Sequence, residues 1–150
     1  MAEQTGIKPI QILLVEDNPG DVRLTVEALR ESEVPVAMTV AKDGIEALDV
    51  LHQRSPFEKE PRPDLILLDL GLPRMDGREF LEVIHQSSEF KHIPVVILTL
   101  SSARDDIVQA YKHHASCFIT KPVDPEQFVN IVQSIDELQF SAEEEENTNA

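Results

Sequence analysis

Residues 12–18 read Ile12-Leu13-Leu14-Val15-Glu16-Asp17-Asn18 (ILLVEDN), four apolar side chains that run straight into two neighbouring carboxylates. An unbroken apolar run, in place of apolar–polar alternation, is what a strand buried on both faces requires, as in a parallel sheet covered by helices. Two like charges at ~4 Å repel by about 1 kcal/mol in water and about 4 kcal/mol at an effective dielectric near 20, so the acidic ending needs something that offsets the repulsion.

The same pattern recurs along the chain. Apolar runs of strand length lie at Ile10 to Val15, Val36 to Val40, Leu65 to Leu68, Pro94 to Leu98 and Cys117 to Ile119. Between and after them, apolar residues recur at helical spacing: Val22, Val26 and Leu29; Ile45, Leu48 and Leu51; Phe80, Val83 and Ile84; Ile107, Ala110 and Tyr111; Phe128, Ile131, Val132 and Ile135. Five strand–helix units result, and LILL and VVIL are continuous like the first strand. An α/β fold follows, a five-stranded, doubly wound parallel sheet with right-handed connections. Pro19 suits a first helical turn, and Asp76-Gly77 and Asp124-Pro125 each read as a turn leading into a helix. Residues 54–63 (RSPFEKEPRP) form a polar, proline-rich loop, longer than the usual helix-to-strand connection.

A chain of 150 residues fits one domain, here residues 10–140, with an extension over 1–9 and an acidic, disordered, solubilising tail over 141–150. Hydrophobic residues at 41% and charged residues at 27% are ordinary for a soluble fold; no apolar run is long enough for a membrane span, and the first residues lack the pattern of a secretion signal. A cytoplasmic address is expected. Cys117 is the single cysteine, which rules out an internal disulfide, and its apolar flanks favour a plain packing role. A net charge of -15 argues against a nucleic-acid footprint, and Glu143 to Glu146 supply only part of it. Neither phosphate-binding glycine motif, G-x-x-x-x-G-K-[ST] or G-x-G-x-x-G, occurs. His113-His114 lack further ligands at metal spacing and read as a solvated surface.

In an open parallel sheet the functional crevice lies beyond the carboxyl ends of the strands, where strand order reverses. Glu16-Asp17 follow the first strand, Asp69 the third, Thr99 the fourth, and Lys121 the fifth after Thr120. Three acids gathered there would suffer repulsion and partial desolvation, and a cation relieves both. Oxygen-only ligands favour a hard ion, Mg2+ above others, which commonly shares its sites with phosphate. A hydroxyl (Thr99) and an ammonium (Lys121) beside Asp69 are what a phosphoryl group needs, and a carboxylate can itself be the nucleophile that receives one. Blander roles compete: Glu16, Asp17 and Thr99 can cap helices, Asp69 can be a turn acid, and Lys121 an ordinary surface lysine.

In this order and spacing, LLVED ending in Glu16-Asp17, LILLDLGLPRMDG containing Asp69, VVILTLSS containing Thr99 and CFITKP containing Lys121-Pro122 resemble the receiver domains of two-component response regulators over roughly residues 10 to 138. The proline-rich loop before the third strand and the DNPGDVRLTVEAL opening are most similar to the small response regulators that serve cyanobacterial-type phytochromes. The resemblance implies a flavodoxin-like (βα)5 fold and a non-enzymatic phosphorelay switch. Asp69 would accept a phosphoryl group from a sensor histidine kinase, a phytochrome, while Glu16, Asp17, Asp69 and the backbone carbonyl of Gly71 would hold Mg2+. Thr99 and Lys121 would bind the phosphoryl oxygens. Phe118 would take the aromatic switch position, although an aromatic on a short strand often simply packs. The Lys121-Pro122 bond would be cis. Output, and a possible homodimer, would use the surface of the fourth helix, fifth strand and fifth helix, through protein contacts, since no output domain is attached.

Two residues depart from that pattern. Leu100 follows Thr99 where receivers usually carry a small residue, and Gly71 offers no side chain to position a hydrolytic water; both bear on phosphorylation and dephosphorylation rates. Two other functions compete with the switch. A Mg2+-dependent phosphatase forming an aspartyl phosphate would carry an acid where Gly71 stands, and a receiver-like binding module would never take phosphate, with Leu100 closing the pocket.

Overall fold

Successive residues of the central strands point into two separate cores, the arrangement that unbroken apolar strands require. The computed structural model describes residues 9–69, 77–99 and 117–134. Its elements are β1 (Ile10–Val15), α1 (Pro19–Glu31), β2 (Val36–Ala41), α2 (Gly44–Leu51), β3 (Leu65–Asp69), α3 (Gly77–Gln86), β4 (Val95–Thr99) and β5 (Cys117–Thr120), followed by helical residues 125–134. Leu13, Val15, Ile66, Leu68, Val95 and Ile97 pack with Ala47, Val50 and Leu51 of α2 and Phe80, Leu81 and Ile84 of α3. Ile12, Leu14, Leu65, Leu67, Val96 and Leu98 pack on the opposite face with Ala28 and Leu29 of α1 and with Phe128 and Val132. Each fully buried aliphatic side chain contributes ~1.5–3 kcal/mol by leaving water, so both faces are strongly specified.

The five strands are parallel and ordered β2-β1-β3-β4-β5, which is the receiver, flavodoxin-like, doubly wound sheet. The order reverses between β1 and β3, where Val15 pairs with Leu68. The residues just beyond that pair, Glu16 and Asp69, therefore meet at the crevice. Strands β2 to β5 each end one residue past the apolar run, because the ladder carries a further residue into pairing; Asp69 pairs with Leu98, and Thr99 with Thr120.

Helix starts follow their capping chemistry. Asn18 Oδ1 accepts from the Asp21 N–H at 3.0 Å with Pro19 in the first turn. Asp43, buried, caps α2 by accepting from the Glu46 N–H at 2.8 Å, while the Glu46 side chain reaches back to accept from the N–H of Lys42, the residue before the cap, at 3.0 Å. Asp124 Oδ2 accepts from the Gln127 N–H at 3.0 Å and starts the last helix.

Two expected faces are corrected. Ile45 and Val83, each placed on an inward stripe by spacing, are 41% exposed. The buried positions are Ala47, Val50 and Leu51 in α2, with Leu48 half-buried against the core, and Phe80, Leu81 and Ile84 in α3. In α2 the buried Asp43 cap fixes the helix phase and turns Ile45 outward; in α3 the adjacent pair Phe80-Leu81 takes the centre of the face and leaves Val83 at its rim.

The loop over residues 54–63 is tied down by polar contacts. Thr39 donates to Glu60 at 2.8 Å, Gln53 donates to the Glu60 carbonyl at 2.9 Å, and Arg62 pairs with Glu89 while lying 5.2 Å from the Phe90 ring centroid. The expected helix around Ile107, Ala110 and Tyr111, together with Ile135, His113, His114 and the tail, lies outside the described residues. Among the described residues no helix is long and apolar enough to cross a membrane.

Candidate functional site

Glu16 leaves β1 at the crevice with its backbone N–H bonded to the Ala41 carbonyl at 2.9 Å, and its side chain is 1% exposed. Both carboxylate oxygens are engaged: Oε1 accepts from Lys121 Nζ at 2.9 Å and Oε2 from the Asn18 N–H at 3.2 Å. Asp17, the next residue, is exposed at the mouth, and Asp69 ends β3 with a side chain 13% exposed. One ligand oxygen from each of Glu16, Asp17 and Asp69 lies within 4.8 Å of the other two.

Lys121 reaches the cluster from the end of β5. Its backbone N–H donates to the Thr99 carbonyl at 2.7 Å, and Thr99 itself is buried at the end of β4. The ammonium contacts Asp69 Oδ1 at 2.6 Å, Glu16 Oε1 at 2.9 Å and Asp21 Oδ2 at 3.0 Å. An ammonium has three N–H donors, so these acceptors match its full capacity. The Lys121-Pro122 peptide is cis.

The electrostatics follow from burial. Desolvation pushes the Glu16 carboxyl above its ordinary pKa, and Asp69 adds repulsion; the Lys121 and Asn18 hydrogen bonds pull the other way without cancelling it. For Lys121 burial opposes the charge, but the hydrogen bonds to Asp69, Glu16 and Asp21 outweigh it and hold the pKa above the usual lysine value. One ammonium thus faces four acids, Glu16, Asp17, Asp21 and Asp69, and the excess negative charge suits a cation. An all-oxygen donor set of this kind can hold a hard divalent ion.

Of the sequence-predicted site residues, Glu16, Asp17, Asp69 and Lys121 come together, with Thr99 at the adjacent strand end. Phe118 is half-buried and packs against the core shared with α2 and α3. Gly71 and Leu100 lie outside the described residues. Asp21 is the residue that motif reading missed. Its signal was an acid in the first turn of the helix that follows the acidic strand end, present in DNPGD but used only for its likeness to other chains.

A doubly wound parallel sheet that gathers a carboxylate triad and a lysine at its switch point defines a receiver-type α/β domain. Residues 12–133 match the family model described as the response regulator receiver domain, and the chain belongs to that family. It is 43% identical over 128 residues to the response regulator Rcp1 of Synechocystis sp., covering 85% of this chain and 87% of that protein. Among solved structures it is similar to the phosphorylated cyanobacterial phytochrome response regulator RcpA, with 44% identity, a TM-score of 0.69, and coverage of 90% of this chain and 96% of that one. It is also similar to the Mn2+-bound form of Rcp1, with 43% identity, a TM-score of 0.67, and coverage of 85% and 92%. These relatives are response regulators, the class that the sequence resemblance implied.

Proposed function

We propose that this chain is the phosphoacceptor of a two-component relay and that Asp69 is the residue modified. The observation that carries the proposal is the position of Asp69: at the switch point, within ligand distance of Glu16 and Asp17, and 2.6 Å from the Lys121 ammonium. An oxygen of Asp69 attacks the phosphorus of a phosphohistidine, the P–N bond breaks, and the leaving imidazole keeps the proton on its nitrogen. Lys121 neutralises the incoming phosphoryl oxygens, and Thr99 donates its hydroxyl to one of them. Glu16, Asp17 and Asp69 would hold a divalent ion, Mg2+ being the physiological choice and the Gly71 carbonyl the further ligand that the family resemblance implies, and that ion would supply the remaining charge neutralisation.

The donor is a sensor histidine kinase, and the likeness to the cyanobacterial phytochrome response regulator RcpA supports a phytochrome as that kinase. Phosphorylation adds about -1.5 to -2 of charge and shifts an existing equilibrium through Thr99 and Phe118. The output and homodimer surface comprises the expected fourth helix, β5 and the helix over 125–134, within a domain bounded at about residues 10 and 140 in the cytoplasm. Incubation with acetyl phosphate and Mg2+, followed by intact mass, tests the proposal. A single phosphoryl adduct absent from Asp69→Asn supports the switch. Rapid repeated turnover would indicate a phosphatase, and no adduct with any donor, a cognate kinase included, would leave a binding module.

A further inference from the structure

Asp21 is the partner of Lys121 that is not one of the three clustered ligands. Its backbone is fixed by the Asn18 cap at 3.0 Å, and its Oδ2 lies 3.0 Å from Lys121 Nζ, on the α1 side of the crevice. The other two acceptors of the ammonium, Glu16 and Asp69, both belong to the carboxylate group that can hold an ion. When those two turn toward a cation, two of the three ammonium bonds weaken together, and the contact to Asp21 is the one that survives. We infer that Asp21 is a positioning residue for Lys121: it holds the ammonium over the crevice while Glu16 and Asp69 serve the ion and the phosphoryl group. Without it, Lys121 falls back on Glu16 and Asp69 and competes with the ion for their oxygens.

The inference rests on Asp69 being a phosphoacceptor beside a divalent ion, and its test separates the two. Free Mn2+ is measured by electron paramagnetic resonance during titration of the full chain with Mn2+ alone, and the rate of adduct formation from acetyl phosphate is measured at saturating Mg2+. Because the Asp21 side chain is 38% exposed, the expected effect is modest: Asp21→Asn weakens Mn2+ binding and slows adduct formation by about threefold each. In a Lys121→Met background, the Asp21→Asn change produces no further shift in either quantity. A shift that persists there is a simple loss of negative charge and overturns the inference, as does an Asp21→Asn chain that matches the wild type; both leave the phosphoacceptor reading intact. A wild type that takes neither ion nor phosphoryl group removes the reading and the inference together. The lysine ammonium resonance of Lys121 gives a readout independent of how well Lys121→Met folds: it moves in Asp21→Asn under the inference, and an unmoved resonance contradicts it.

Discussion

The Lys121 ammonium sits 2.6 Å from Asp69 Oδ1 although Lys121 follows the last residue of β5 and Asp69 ends β3, strands that are separated in the sheet by β4. The side chain crosses the end of β4 to do so, and its backbone N–H is pinned to the Thr99 carbonyl on the way. This contact compensates carboxylate charges that burial would otherwise leave facing one another.

Removing the ammonium therefore costs stability. Breaking a buried pair costs about 3–5 kcal/mol, and the partial exposure of Lys121 and Asp69 reduces this to about 2 kcal/mol for Lys121→Met in a chelator. Added Mg2+ restores part of the loss, because it binds the folded state alone. Urea unfolding with and without Mg2+ checks both statements. Equal midpoints for wild type and variant in chelator would contradict them.

The corrected face of α3 has a direct consequence. Ile84→Ala empties a core position and costs about 2–4 kcal/mol, whereas Val83→Ala, at the rim, costs well under ~1 kcal/mol. Paired denaturation curves decide the matter, and equal costs would restore the face expected from spacing.

Asp43 is buried and accepts the Glu46 N–H at 2.8 Å. Asp43→Ala should lower stability by about 1–2 kcal/mol, and Asp43→Asn by less, since the amide oxygen can still cap. Thermal melts of the two variants that fall in the reverse order would argue against the cap.

Burial raises the Cys117 thiol above its ordinary value of 9.0. The folded chain holds the proton more tightly than the unfolded one, so the stability linked to this group is fully present below pH 9.0 and is lost as pH rises through the higher folded value. Iodoacetamide should alkylate the native chain more slowly at pH 8 than the urea-unfolded chain, with the difference narrowing at higher pH. Equal rates at pH 8 would mean that the thiol is not shielded.

How much of this was legible beforehand differs by residue. The strands were plain because LILL and VVIL are too uniformly apolar for anything but a sheet buried twice, and their parallel order placed Glu16, Asp69, Thr99 and Lys121 at one edge. Helix faces were less secure. In α2 three apolar side chains at helical spacing pointed to Ile45, but the Asp43 cap two residues before it set the phase. Asp21 escaped notice because its role depends on a lysine from the far end of the sheet, a pairing that local spacing does not encode. The tie from Thr39 to Glu60 was hidden for the same reason.

The central claim is tested most directly by locating the modified atom. After treatment with acetyl phosphate and Mg2+, borohydride reduces an aspartyl phosphate to homoserine, and trypsin then releases the peptide from Glu60 to Arg74, which contains both Asp64 and Asp69. Fragment masses should place the homoserine at position 69 alone. Conversion at position 64, or an unreduced peptide from a chain that binds the ion normally, would contradict the assignment.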